Sequence, residues 1–211
     1  MEVTEACRLE AAIDGICRLK WSRLEEDDLV RVAWAYYYFS VQFRENLQIA
    51  RSLHPDDDML WQLEKEECNT SNLSPWPGIA EVDEKMNHDE FMGRLLRLSP
   101  IDDDKRTVLD EIGQDYLDTT RSINPAARAL SIASYEDGGL EKLFKAILQS
   151  SHWNGPLLQA FKHFLTEHIR FDSDPDQGHG ALSRHLAPDE RVLPLWDAAK
   201  RLFLRAVPSL A

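Results

Sequence analysis

The chain has 211 residues, close to one domain at the ~150 residues of an average one. Hydrophobic residues make up 43% and charged residues 29%, which excludes both a disordered chain and a membrane-embedded one. Lys and Arg number 24 against 37 Asp and Glu, a formal charge of −13, and a surface of that sign repels phosphate, excluding nucleic acid and anionic membrane as main partners.

Residues 1–28 read as an N-terminal helical extension and 29–211 as one helical domain. The start, MEVTEACRLE, carries neither the basic segment nor the apolar stretch of a secretory signal. Cys7, Cys17 and Cys68 are an odd count without a CxxC, so reduced thiols and a cytoplasmic location are expected. Residues 29–53 read as one long helix, because Val32, Tyr36, Phe39, Phe43, Leu47 and Ala50 recur at helical steps. Its uncharged part, 32–41, is half of the ~20 residues that a membrane span needs. His54-Pro55 ends this helix, and 59–68 continues as a shorter one. The stretch 69–87 contains Pro75, Pro77 and Gly78 and reads as loop.

Asn87 is expected to cap a helix through about residue 98, with Ser99-Pro100 as its stop. Another helix is expected over 102–122, where an acidic first turn suits the helix dipole. Asn124-Pro125 opens the next, through about residue 150, with Gly138-Gly139 weakening its middle. Gly155-Pro156 opens a helix to about residue 171, and 173–180, rich in Asp, Pro and Gly, reads as irregular. Pro188 starts a last helix that ends near Pro208. No segment alternates convincingly with period two, so the expected fold is an all-α bundle of about seven helices.

The segment with most chemistry is His163-Phe-Leu-Thr-Glu-His168-Ile-Arg-Phe-Asp172, followed by Ser-Asp-Pro-Asp-Gln-Gly-His179. His168 and Asp172 stand at i and i+4 and share a helix face, a spacing that suits two ligands of one metal cluster or a plain surface pair. His plus carboxylate suits iron or manganese. On an ideal helix His179 would fall on the same face, but eleven residues of rise put it ~16 Å from His168. Both can ligate together only if the helix breaks between them, which Pro175 and Gly178 permit. Glu136 sits inside an otherwise apolar stretch, Ala129 to Phe144, where an acid is rarely buried unless paired or metal-bound. Solvation beside Asp137 is its bland alternative. Glu64, Glu66 and Glu67 end the 59–68 helix, and His88 starts the next one. Four helices, each offering an inward carboxylate or His, are how bundles build two-iron sites.

The order of these signals is an acid closing one helix, then NHDEFMGRLL, then a Glu inside an apolar helix, then HIRFDSD…GHG. It resembles the heme-oxygenase-like diiron oxygenase and oxidase superfamily, over about residues 29–207. The resemblance implies a helical bundle shared with heme oxygenase, thiaminase II and pyrroloquinoline-quinone synthase. It also implies iron ligands from early helices, a middle Glu and a late His-x3-Asp-x2-His. Carried over position by position, these are Glu67, His88, Glu136, His168 and Asp172. The last His of the pattern falls on Pro175, and His179 stands four residues later, as if one helical turn were inserted. Asp176 competes with Asp172, because Asp176-x2-His179 recreates the short spacing, and Glu66 competes with Glu67.

By the same resemblance the chain is an O2-dependent oxidoreductase holding two irons, with manganese as an alternative at one position. O2 would be co-substrate, and the substrate a small organic molecule, an amino acid or a derivative. N-oxygenation, desaturation, C–C cleavage and oxidative decarboxylation are the implied reactions, and a homodimer is common for the fold. One rival is a metal-independent thiaminase-like hydrolase or cofactor-free oxidase, which would need a Cys or Glu nucleophile. The others are a heme oxygenase, although the earliest His is His54, and a non-catalytic helical partner protein. Arg170 and Arg184 flank the proposed metal segment, either to hold a substrate carboxylate or to offset nearby Asp residues.

Overall fold

The stripe Val32, Tyr36, Phe39, Phe43, Leu47 and Ala50 is buried along its whole length, on a 28-residue helix from Glu26 to Leu53. The computed structural model containing it describes residues 5–71, 75–172 and 178–211. Among these are ten α-helices: α1 (Glu5–Cys17), α2 (Glu26–Leu53), α3 (Asp58–Glu67), α4 (His88–Leu96), α5 (Asp103–Arg121), α6 (Pro125–Glu136), α7 (Gly139–Ile147), α8 (Gly155–Asp172), α9 (His179–Ser183) and α10 (Leu193–Ala206). No strand joins them among the described residues; two isolated bridges, Thr70 with Met86 and Trp76 with Ala80, tie the α3–α4 loop. None of these helices is long and apolar enough to cross a membrane.

The all-α architecture is therefore present, with ten helices where about seven were expected. Three local causes account for the difference. The N-terminal segment forms α1, whose Ile13 and Ile16 enter the core, and Trp21 beyond it is fully buried with its ring edge-on to Phe203. The expected 125–150 helix is two, because Gly138 adopts φ +92, a left-handed conformation that glycine takes readily. The third is α9, five residues long, starting at His179.

The central helix is α2, which packs on α3, α4, α5, α6, α8 and α10. Its acidic first turn, Glu26, Asp27 and Asp28, complements the dipole. The α2–α5 approach is close: a Cβ on Gly113 would lie 2.2 Å from the Tyr38 ring. Where α2 meets α6, buried Arg128 donates to Asn46 Oδ1 (2.7 Å), and Asn46 donates to Ser131 Oγ (2.9 Å). The turn from α2 to α3 is fixed by Arg51, which donates to the carbonyls of His54, Pro55 and Asp57. Asp57 caps α3 by accepting from the Met59 and Leu60 amides. Asn87 precedes α4 without side-chain capping; its Oδ1 accepts from the Asn69 amide across the loop, at 2.8 Å.

Candidate metal centre

Helix ends converge on one buried spot. Glu67 is the last residue of α3 and Glu136 the last of α6, while His88 is the first of α4 and His179 the first of α9. A helix C-terminus already carries partial negative charge, so a carboxylate there adds to an unfavourable field unless a cation is near. Two such carboxylates, each about 5% exposed (Glu67 5%, Glu136 6%), face one imidazole. His179 Nδ1 lies 2.6 Å from Glu67 Oε1 and 3.3 Å from Glu136 Oε2. Its other ring nitrogen, Nε2, lies 3.6 Å from Glu66 Oε2. Glu67, Glu136 and His179 each offer a donor atom within 4.8 Å of the other two, and together they can hold a metal ion.

The second carboxylate oxygen of Glu67 points the other way. Glu67 Oε2 lies 2.7 Å from His88 Nδ1, and His88 Nδ1 lies 3.1 Å from His168 Nε2. His168 sits in the last turns of α8, where its Nδ1 is 2.8 Å from the Phe164 carbonyl. A carbonyl only accepts, so Nδ1 carries the proton and Nε2 presents a lone pair. Burial, with His88 acting in the same direction, pushes the His168 pKa down to about 3, which keeps the ring neutral, the form that ligates metals. Burial alone would raise the Glu67 carboxyl; His88 and His179 outweigh it and hold the group well below its ordinary value. The Phe164 ring lies 4.1 Å from the His168 ring at a tilt of 37°, and Phe144 meets its edge at 5.9 Å. Tyr36, against Phe144, Phe161 and Phe164, extends this aromatic wall.

Five of the six residues expected from the sequence are thus brought together: Glu67, His88, Glu136, His168 and His179. The side chain of Asp172 and the whole of Asp176 lie outside the described residues. Between the two adjacent acids, Glu67 occupies the centre, and Glu66 stands behind His179. The expectation that 173–180 is irregular throughout needs correcting at its end, since Gly178 is the N-cap of α9 and His179 its first residue. Arg170 and Arg184 are engaged on the surface, Arg170 with Glu167 at 2.8 Å and Arg184 with Asp137 at 3.0 Å.

Comparisons with protein-family models, curated proteins and solved structures matched nothing to this chain. The chemistry of the centre therefore rests on its own atoms.

Sequence reasoning missed the side-chain pairs that tie the residues after α9 to other helices. Asp57, besides capping α3, takes His185 Nε2 on its Oδ2 at 2.6 Å. Asp137 takes Arg184 through both carboxylate oxygens, at 3.0 to 3.3 Å. These pairs join residues far apart in the chain, so no periodicity announces them. Asp89, next to His88, is also buried and paired with Arg44 at 2.8 Å.

Proposed function

We propose that this chain is a non-heme diiron enzyme on a heme-oxygenase-like bundle, an O2-dependent oxidoreductase acting on a small organic substrate. The observation that carries the reading is the position of Glu67 between two donor sets. One oxygen faces His179 with Glu136 beside it, and the other faces His88 with His168 beside it. His179 Nδ1 faces two carboxylate oxygens, and His88 Nδ1 faces a carboxylate oxygen and an imidazole nitrogen. A cation before His179 Nδ1 would meet Glu67, Glu136 and His179, and a second, sharing Glu67, would draw on His88 and His168.

The donor chemistry fits. Imidazole and carboxylate together suit iron and manganese, and the two carboxylates offset part of the charge of two divalent ions. When bound, such ions supply the electrons that activate O2. The chain's own contribution is physical. Phe164 holds His168 in one tautomer by its carbonyl, and the aromatic wall of Tyr36, Phe144 and Phe164 keeps bulk water from the donors. The Glu66 carboxyl stands 3.6 Å behind the outer nitrogen of His179, whose Nδ1 faces Glu67 and Glu136. An amino acid or a derivative is the proposed substrate, on family likeness alone.

The cysteine-nucleophile rival has little support in the geometry. Burial, with Glu67 next to it, pushes the Cys68 thiol up to about 12, and burial raises Cys17 to about 11. Both stay protonated at neutral pH, and the thiolate is the nucleophile.

Iron counted per chain after anaerobic ferrous loading, with visible spectra on O2 addition, tests the proposal. Near two irons and an O2-dependent visible change are expected. One iron per chain would reduce the centre to the Glu67–Glu136–His179 triad and overturn the two-ion reading; none would overturn metal binding altogether.

A further inference from the structure

His179 differs from the other donors in how it is held. Glu67, His88, Glu136 and His168 belong to helices of nine to eighteen residues, whereas α9 has five. A helix that short has no stability of its own. Something else must keep the His179 ring between Glu67 and Glu136. The two residues after α9 are Arg184 and His185, and each is tied to a helix that carries one of the other ligands. Arg184 grips Asp137, the residue after Glu136, by Nε and Nη2. His185 binds Asp57, the cap of the helix that ends in Glu67. Neither anchor is loose: the Asp57 turn is held by Arg51, and the Asp137 amide closes α6 on the Ala133 carbonyl.

A third contact sits beside the ligand itself. A Cβ on Gly180 would lie 3.1 Å from the Glu136 carbonyl oxygen and 3.3 Å from Asp137 Cα. The segment from Gly178 to Ala187, a strap over the centre, therefore rests directly on the backbone end of α6, closely enough that a Cβ at 180 would need its neighbours to give by a few tenths of an ångström.

The geometry points to Gly180, Arg184 and His185 as positioning residues that clamp His179 onto α6 and α3, so that its side of the centre is assembled before an ion arrives. This inference rests on the metal reading of His179. Its consequence is specific. Exposed ion pairs add little to folding stability, and the side chains of Arg184 and His185 are 58% and 36% exposed. Loss of the clamp should therefore loosen metal binding while leaving the metal-free fold nearly as stable. Residues that orient a ligand typically control metal affinity by 10- to 100-fold.

The test titrates Mn2+ into parent, Arg184→Ala, His185→Ala, the double variant and Gly180→Ala, counting free ion by electron paramagnetic resonance. Metal-free protein of each is also followed by thermal melting and by amide exchange over residues 178–187. Each single substitution is expected to weaken Mn2+ binding by roughly tenfold and the double by roughly 100-fold. Exchange of the strap amides should rise tenfold or more, with the melting temperatures of the Arg184 and His185 variants nearly unchanged and Arg184→Lys restoring part of the affinity. Variants that bind Mn2+ like the parent, with strap exchange unchanged, would overturn the clamp. A parent that binds no Mn2+ would overturn the metal reading and the positioning role together, while faster exchange in the variants would still show that the ties hold the strap.

Discussion

His168 and His179 reach one centre by opposite routes. His168 rides on α8, eighteen residues long, and its ring is fixed by a carbonyl one turn back on the same helix. His179 opens a five-residue helix and depends on residues elsewhere in the chain for its position. The first placement is local and the second tertiary. The difference separates a donor whose loss removes one ligand from a donor whose neighbours matter as much as it does.

The largest expected effect comes from the residue that both routes meet. Glu67→Gln keeps the shape but removes the charge shared by the two donor sets. Metal analysis after ferrous loading should show less than one iron per chain, with affinity down by at least 100-fold, since a first ligand matters more than its supports. Two irons retained would break the comparison at its root, because neither His would then be working through Glu67.

Removing one donor at a time sharpens the contrast. His168→Ala and His179→Ala should each lower iron content from two towards one, and Glu136→Gln should behave like His179→Ala. Mixed variants then assign the sides. Combining His179→Ala with Glu136→Gln should cost no more than either alone, whereas combining His179→Ala with His168→Ala should empty the centre. Equal losses in both pairings would mean one mixed site rather than two.

The third prediction concerns the corner that presents Glu136. A Cβ on Gly139 would lie 2.1 Å from the Ser134 carbonyl oxygen and 2.8 Å from the buried Trp196 ring. Backbone cannot yield as a flexible side chain does, so Gly139→Ala should destabilise the fold by about 2–3 kcal/mol. For a chain of this size that is a melting temperature lower by about 5–10 °C. An unchanged melting temperature would show that the α6–α7 corner is looser than its packing implies.

What the sequence displayed of this molecule follows the same division. The α2 stripe and the helical placing of His168 are periodic signals, and the structure has both where periodicity puts them; Glu136, open to either a solvated or a buried reading, is buried at the end of α6 rather than inside one long helix. Glu67 could not be told from Glu66, because adjacent acids at a helix end differ only in which one the tertiary fold turns inward. Gly138-Gly139 showed as a weak point; that it is a full break depends on the left-handed φ of Gly138, imposed when α7 turns to pack on α8 and α1. His179 stood too far along an ideal helix to share the centre, and it reaches the centre on a separate helix that follows the extended Gly178. The ties that hold it, Arg184 to Asp137 and His185 to Asp57, leave no pattern in the chain.

The smallest expected effect lies in the scaffold under these routes, where α2 meets α5 and α6. Glu45 on α2 accepts from Arg121 on α5 (2.6 Å) and from Arg128 on α6 (3.0 Å). Burial alone would raise its carboxyl, and the two guanidiniums outweigh that and hold it below the ordinary value. A folded-state pKa below the unfolded one means stabilisation that is fully present above the unfolded value, near 4.3 for Glu. It is lost as pH falls through the folded value. Wild type should therefore exceed Glu45→Gln in urea midpoint at pH 7, by less than the Gly139→Ala effect because the pair is partly solvated. The gap should close as pH drops below 4. Comparing the two proteins at each pH cancels the other carboxylates that titrate in the same range. A gap that stays constant to pH 3 would mean that Glu45 acts through its hydrogen-bonding shape, which Gln shares only in part, and not through its charge. The local scaffold would then owe its geometry to packing and neutral hydrogen bonds such as Asn46 to Ser131, leaving charge as a design element of the proposed metal centre and its strap.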